Sequence, residues 1–501
     1  MSQSSRGKVF LVGAGPGDPG LVTLRAVECL GSADLILYDY LVNPRLLDHA
    51  GPKTRKICLG RHGQGRILSQ AEINEQLIAA AQAGQRVVRL KAGDPIIFAR
   101  AAEEIDALAA AGVPLEIVPG ITAAFAAGSY AGIPLTMRDR ASAVALVTGH
   151  ESDDKQTPEL DFGELARFPG TLVIYMGLTS APRWVAALVA AGKSADTPAA
   201  IVRRCSWPDQ RVVRTTLAQV PAEIESQRLR PPVIVVVGEV TGWETAASWF
   251  SDRPLFGKRI LVTRALEQIG EFGRQLETLG AEVYLQPAIE IDPPRDYTLL
   301  DAAIESLTAF DWVVFSSANG VRYFFERLAR LGYDVRRLGG AKLAVIGPGT
   351  RQALSHFRLL ADLEPAEHRA EALAAALQAN AGGKRFLLVR ASRGREVLAE
   401  SLAAAGGDVT QAIAYESSDV TQPDPRIAEL LAEGRIDWVT VTSSAIARSL
   451  VNLFGEKLRS TRLVSISPIT SATLAELGYR VAAEASDYTL DGVVAALLDQ
   501  A

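Results

Sequence analysis

Cysteine is nearly absent from this chain: Cys29, Cys58 and Cys205 are all that 501 residues contain. Three isolated thiols without a paired spacing build neither a disulfide scaffold nor a zinc site, and they point to a reducing cytoplasm. Histidine is as scarce. His49, His62, His150, His356 and His368 show no i, i+4 ligand spacing, so no structural or catalytic metal is expected. Basic surplus is missing too. With a net charge of −5 and no basic face or tail, the chain has little with which to displace counterions from a nucleic acid. No apolar run approaches the ~18 residues of a membrane span, and Met1 to Lys8 lacks the apolar core of a signal peptide. The expectation is a soluble, cytoplasmic protein, 48% apolar and 22% charged, with length for about three domains at ~150 residues each.

Residues 8–240 alternate short Val/Ile/Leu strands with Ala-rich helices, the pattern of an α/β fold with a mostly parallel sheet. The clearest strands are Val9–Gly13, Leu35–Tyr38, Arg86–Leu90, Ala143–Val147, Thr171–Tyr175 and Val233–Val237. A helix is predicted from Gln70 to Ala83, with Ser69 and Glu72 forming a capping box and Gly84 closing it. The acidic segment 151–158 is expected to separate two lobes. A linker at 241–256 carries Trp243, Trp249, Phe250 and Phe256, too aromatic for a solvated tether, and should dock on one domain.

The second half repeats. Gly257-Lys258-Arg259-Ile260-Leu261-Val262-Thr263-Arg264 returns at an offset of 126 as Gly383-Lys384-Arg385-Phe386-Leu387-Leu388-Val389-Arg390, and Asp311–Ser317 returns as Asp437–Ser443. Ile346–Thr350 and Ile466–Thr470 form a third pair at an offset of 120. Each copy reads as a buried strand, a polar turn and a helix. Two such lobes make a cleft for an anionic ligand, lined by strand-end Ser, Thr and Arg.

Glycine-rich turns follow several strands of the first half: Gly13-Ala14-Gly15-Pro16-Gly17-Asp18, Leu90-Lys91-Ala92-Gly93-Asp94-Pro95 and Val118-Pro119-Gly120-Ile121-Thr122-Ala123. Pro16 and Asp18-Pro19 argue against a dinucleotide fingerprint. Together with Tyr38–Val42, Val87–Lys91, Tyr130–Thr136 and Tyr175–Leu178, these segments resemble uroporphyrinogen-III C-methyltransferase, of the two-lobed tetrapyrrole methylase fold, in order and spacing over about residues 8–240. The resemblance implies S-adenosylmethionine bound by Pro16, Ala92, Gly93, Asp94, Ile97, Thr122, Ala123, Met176 and Cys205, no metal, and a homodimer formed through this domain. It implies proton acceptance by Asp39, which from sequence alone reads equally as a turn or cap aspartate.

Departures from the family pattern are informative. Gly-Lys-Arg-Ala-Gly becomes Gly60-Arg61-His62-Gly63-Gln64, so Arg61 stands where the family has its proton-donor lysine. A guanidinium, with pKa above ~12, gives up no proton near neutrality and serves better as a carboxylate anchor. Ala92 replaces a glycine, which requires a negative φ there.

Residues 257–501 resemble uroporphyrinogen-III synthase, a two-lobed α/β fold with a pseudo-repeat. The resemblance rests on Gly257–Arg264, Asp311–Phe325, Val345–Thr350, Ala412–Ser417, Asp437–Ser444, Ser465–Ala472 and Tyr488–Leu490. It implies one lobe from 257–290 plus 417–501 and another from 291–416. The implied substrate is hydroxymethylbilane, an eightfold carboxylate, held by Ser317, Thr350, Ser443 and Thr470, with charge from Arg264 and Arg390 and help to the leaving hydroxyl from Tyr415. Helix capping alone is the competing reading of those hydroxyls. The expected function is bifunctional: closure to uroporphyrinogen III, then two methylations to precorrin-2 in the siroheme or corrinoid branch. The alternatives are an active synthase joined to a divergent or impaired methyltransferase, and a binding module that sequesters an anionic tetrapyrrole. A nucleotide-dependent oxidoreductase is more distant.

Overall fold

The computed structural model describes residues 7–60, 68–150, 160–243, 248–264, 270–379, 381–394 and 396–501. The chain divides into two compact units, Met1–Lys258 with Leu279–Glu282, and Arg259–Thr278 with Val283–Ala501.

In the first unit, β1 (Lys8–Gly13), β2 (Leu35–Tyr38), β3 (Arg55–Cys58), β4 (Arg86–Lys91) and β5 (Leu115–Val118) form a sheet in the order β3-β2-β4-β1-β5, parallel throughout. Successive side chains of β1 point to opposite faces, and both faces are covered. Phe10 and Val12 join one apolar cluster, Val9 and Leu11 another. Hence the strand reads as a continuous apolar run. The helix Gln70–Gln82 begins on the predicted capping box, in which Ser69 Oγ accepts from Glu72 N and the Glu72 carboxylate accepts from Ser69 N at 2.8 Å. Such caps are worth ~1 kcal/mol.

A second sheet contains β6 (Val144–Thr148), β7 (Thr171–Tyr175), β8 (Pro198–Arg203), β9 (Arg211–Thr216) and β10 (Val233–Val237), in the order β6-β7-β10-β8-β9. Only β6 and β7 run parallel; β10 is antiparallel to β7 and β8, and β8 to β9. The expected mostly parallel arrangement therefore describes the first sheet and not the second. Residues 204–210 alone join β8 to β9, less than the dozen or so that a parallel crossover needs. The lobe boundary also moves. Residues 151–158 lie outside the described residues, but β6 before them already pairs with β7, so the chain changes sheets between β5 and β6.

Trp249 and Phe250 pack on Tyr130, with ring centroids 5.0 and 4.5 Å apart, and Trp249 Nε1 donates to Ser129 O at 3.0 Å. Aromatic burial fastens this segment to the first unit.

Ten further strands are β11 (Arg259–Val262), β12 (Glu282–Leu285), β13 (Ile289–Asp292), β14 (Trp312–Phe315), β15 (Lys342–Val345), β16 (Arg385–Ala391), β17 (Asp408–Asp419), β18 (Trp438–Val441), β19 (Arg462–Ser465) and β20 (Val481–Glu484). They form two sheets, β12-β11-β18-β19-β20 and β13-β17-β16-β14-β15. The sequence repeat is a repeat of register. Ile260 pairs with Trp438 as Phe386 pairs with Trp312, and Trp438 faces Arg462 as Trp312 faces Lys342. Asp437 Oδ2 accepts from Arg259 N at 2.7 Å, and Asp311 Oδ2 from Arg385 N at 2.8 Å. A cation covers the tryptophan in both copies, Arg462 at 4.3 Å and Lys342 at 5.5 Å.

Candidate functional sites

The three glycine-rich turns of the first unit converge at strand ends. Gly15 and Gly93, at φ +71° and +72°, exchange backbone hydrogen bonds of 3.1 and 2.8 Å. A Cβ on Gly120 would lie 2.3 Å from Gly93 O, and one on Gly13 would lie 2.5 Å from Gly120 Cα. Only bare backbone allows this approach. Ala92 is not among the residues at positive φ, so its methyl is accommodated. Asp94 ties the turns together, its carboxylate accepting from Ile96 N at 2.8 Å and from Gly120 N at 3.0 Å. Thr122 Oγ1 lies 2.6 Å from the Tyr175 hydroxyl, which also accepts from Ala124 N at 2.9 Å. Ile97, Ala123 and Cys205 share an apolar cluster. Burial pushes the Cys205 thiol up to about 12, which keeps it neutral. Met176 follows Tyr175 at φ +51°, half exposed.

Trp207 and Ser206 were not legible as site residues. Trp207 Nε1 donates to Pro16 O at 3.1 Å and Ser206 Oγ accepts from Asp18 N at 3.0 Å, so the β8–β9 connection closes on the first turn. Gly13 and Gly120 thus serve the packing of turn on turn, whereas a Cβ on Gly93 would meet nothing nearer than 3.9 Å, which leaves backbone there open to a ligand such as the S-adenosylmethionine implied by the sequence.

Asp39, just beyond β2, caps no helix; its carboxylate meets Arg89 Nη2 at 2.7 Å. Arg61 lies outside the described residues.

In the second unit, Ser317, Arg390 and Tyr415 line one cavity of about 240 Å³, together with Ser316, Arg393 and Gln411. A register shift between β16 and β17 at Arg390/Ala391 sets Tyr415 opposite Ala391, as irregularities beside functional sites often do. Ser317 Oγ caps the helix Ala318–Arg330 by accepting from Gly320 N at 3.0 Å. The Tyr415 phenol is raised above its usual range by burial, partly offset by Ser317, and so remains a neutral hydrogen-bond donor near neutrality. Arg390 Nη1 lies 2.5 Å from both Glu396 and Gln411.

Thr350, Ser443, Thr470 and Arg264 do not line this cavity. Ser443 is the repeat counterpart of Ser317 and caps Ser444–Phe454. Thr350 and Thr470 are buried in the first turns of their helices and cap nothing. Burial lowers the Arg264 pKa. Arg393 and Gln411 escaped the sequence reading; the polar turn after β16, Ser392-Arg393-Gly394, was the available signal.

Two family models match. Tetrapyrrole (Corrin/Porphyrin) Methylases covers residues 8–221, and Uroporphyrinogen-III synthase HemD covers 270–495. A porphyrin biosynthesis protein HemD of Ruminiclostridium josui is 32% identical over 98% of this chain and 95% of its own length. The chain belongs to both families. This tetrapyrrole methylase–HemD fusion is an enzyme of tetrapyrrole biosynthesis, with a methyltransferase domain and a uroporphyrinogen-III synthase domain. A uroporphyrinogen-III C-methyltransferase of Bacillus subtilis is 38% identical over 66% of the fusion and 68% of its own length. The solved uroporphyrin-III C-methyl transferase of Thermus thermophilus, complexed with S-adenyl homocysteine, is 39% identical over 47% of the fusion and 99% of that chain, with a TM-score of 0.41. No helix among the described residues is long and apolar enough to cross a membrane.

Proposed function

We propose that this chain closes hydroxymethylbilane to uroporphyrinogen III in residues 257–501 and methylates that product twice in residues 8–240, giving precorrin-2 for the siroheme or corrinoid branch. The synthase lobes are assigned to 257–290 with 417–501 and to 291–416, joined to the methylase by 241–256. The observation that carries this reading is the fusion itself: one matched family is named for making uroporphyrinogen III, and a relative over 66% of the chain is named for methylating it.

S-adenosylmethionine, when bound, supplies an already activated methyl group. Pro16, Ala92, Gly93, Asp94, Ile97, Thr122, Ala123, Met176 and Cys205 are assigned to hold it, Asp94 by fixing the Gly120 turn. Placing the pyrrole carbon against that methyl supplies most of the rate. The methylated β-carbon already carries a carboxylate side chain and no hydrogen, so Asp39 takes the proton that the macrocycle gives up elsewhere once the new C–C bond has formed, and Arg61 anchors a substrate carboxylate. In the synthase, Tyr415 donates to the departing hydroxyl while Ser317 orients it. Arg390, Arg264, Thr350, Ser443 and Thr470 bind carboxylates. The protein works as a cytoplasmic homodimer paired through the methylase.

Each half is tested separately. Uroporphyrinogen III with S-adenosylmethionine should gain two methyl groups, and hydroxymethylbilane alone should give isomer III over the spontaneous isomer I. Arg61 at the family's lysine position favours one second reading, an impaired methylase beside an active synthase. It predicts isomer III without methyl gain, restored by Arg61→Lys.

A further inference from the structure

Behind Asp39 lies a run of buried charges for which the proposed chemistry has no direct use. Arg89 and Lys91 occupy alternate positions on one face of β4, both nearly inaccessible to solvent. Glu104, from the helix Ala101–Ala110, is wholly buried between them, 3.0 Å from Arg89 Nε and 2.8 Å from Lys91 Nζ. Gln70 of the helix Gln70–Gln82 donates to the same carboxylate at 3.2 Å. Arg89 then uses Nη2 on Asp39, whose side chain is about one-third exposed. The four charges sum to zero.

We propose that Arg89 is a positioning residue for Asp39: shared between two carboxylates, it orients the Asp39 side chain without claiming its charge. This rests on the reading of Asp39 as proton acceptor. Arg89, Glu104 and Lys91 alone would bury one uncompensated positive charge, so Asp39 also neutralises the run, and it does so from a strand end where its side chain stays about one-third exposed. The fork geometry of Arg fixes direction as well as distance. Asp39 N also donates to Leu90 O at 3.2 Å, and Ala14 N to Lys91 O at 2.8 Å. One strand therefore fixes the acceptor and the glycine turn proposed to hold the methyl donor.

Glu104 sets the strength of the hold. Without it Arg89 would turn wholly to Asp39; without Arg89, the Asp39 carboxylate would lose the partner that fixes its orientation. Among the described residues, the charged groups facing this run are Asp39, Glu104 and Lys91, with Glu103 acting on Lys91 and Arg100 on Glu104 at longer range. Burial and the Arg89 charge hold the Lys91 ammonium below the usual lysine range.

The test uses the full chain and separates kcat from KM for methyl transfer, with S-adenosylhomocysteine affinity measured alongside. Arg89→Gln should lower kcat about tenfold or more while leaving KM for the tetrapyrrole and S-adenosylhomocysteine affinity within about twofold. Arg89→Lys keeps the charge without the fork, so it guards against loss of folding, and kcat should still fall. Parent kcat in a folded Arg89 variant, while Asp39→Asn lowers kcat, overturns the positioning role alone. Wild-type rate in Asp39→Asn overturns the reading beneath it.

Discussion

The Tyr415 hydroxyl lies 3.0 Å from the Ser317 hydroxyl, although 98 positions of chain separate them. Both line the second-unit cavity, and Tyr323 stacks on the Tyr415 ring at 5.8 Å. Tyr415→Phe keeps the ring and its packing and removes only the donor. Synthase kcat is expected to fall about 10²-fold, with the thermal midpoint within a few degrees of the parent. Ser317→Ala should cost ~1 kcal/mol in stability through the lost cap, so thermal melts and initial rates separate the two effects.

Gly120→Ala tests the glycine cradle. The added methyl would sit 2.3 Å from Gly93 O, against backbone that has no rotamer with which to yield. S-adenosylhomocysteine affinity by calorimetry should drop by about tenfold to a hundredfold, the scale of 1–3 kcal/mol of overpacking. Gly112→Ala is the contrast: unlike Gly120 it has positive φ, at +64°, but nothing lies within 4 Å of the new carbon, so affinity should be unchanged while stability falls modestly.

Native thiol labelling reads burial directly. Cys58 is exposed, whereas Cys29 and Cys205 are buried with thiols raised by desolvation, Cys205 to about 12. Because the thiolate is the reactive species, iodoacetamide at pH 8 should modify Cys58 rapidly and the other two only on unfolding. Rapid loss of Cys205 in the native protein would contradict its placement.

Stability should carry one identifiable acid dependence. Arg25 and then Lys8 hold the Glu116 carboxyl down to about 2. A depressed folded pKa contributes stability above the unfolded value near 4.5 and loses it as pH falls toward 2. The site is largely solvated, so Glu116→Gln should cost under about 1 kcal/mol at neutral pH. The gap from the parent, followed as the first unit's thermal midpoint, should narrow between those two pH values and shrink with added salt.

The buried strands were legible because burial on both faces makes them continuous apolar runs, as in β1, β2 and β7. The 126-residue repeat was legible because Trp312 and Trp438 occupy the same place in two sheets. The β8–β9 connection was not: Trp207 meets Pro16 across 191 positions, and nothing local marks that contact. Arg89 and Lys91 lie beyond the exposed Arg86 in β4, and two charges at alternate positions among Val87, Val88 and Leu90 hint at a buried partner. Glu104 could not be named from sequence, since it reads as one more acidic residue near a helix start. Likewise the second-unit cavity depends on a strand irregularity that brings Tyr415 to Ser317.

The most direct measurement supplies the intact chain with hydroxymethylbilane and S-adenosylmethionine labelled in its methyl group, then counts label per macrocycle and assigns the isomer. Two labelled methyl groups on a type III ring are the expected result. Unlabelled type III would separate the two halves chemically, and type I as the principal product would contradict the shared substrate on which the proposal depends.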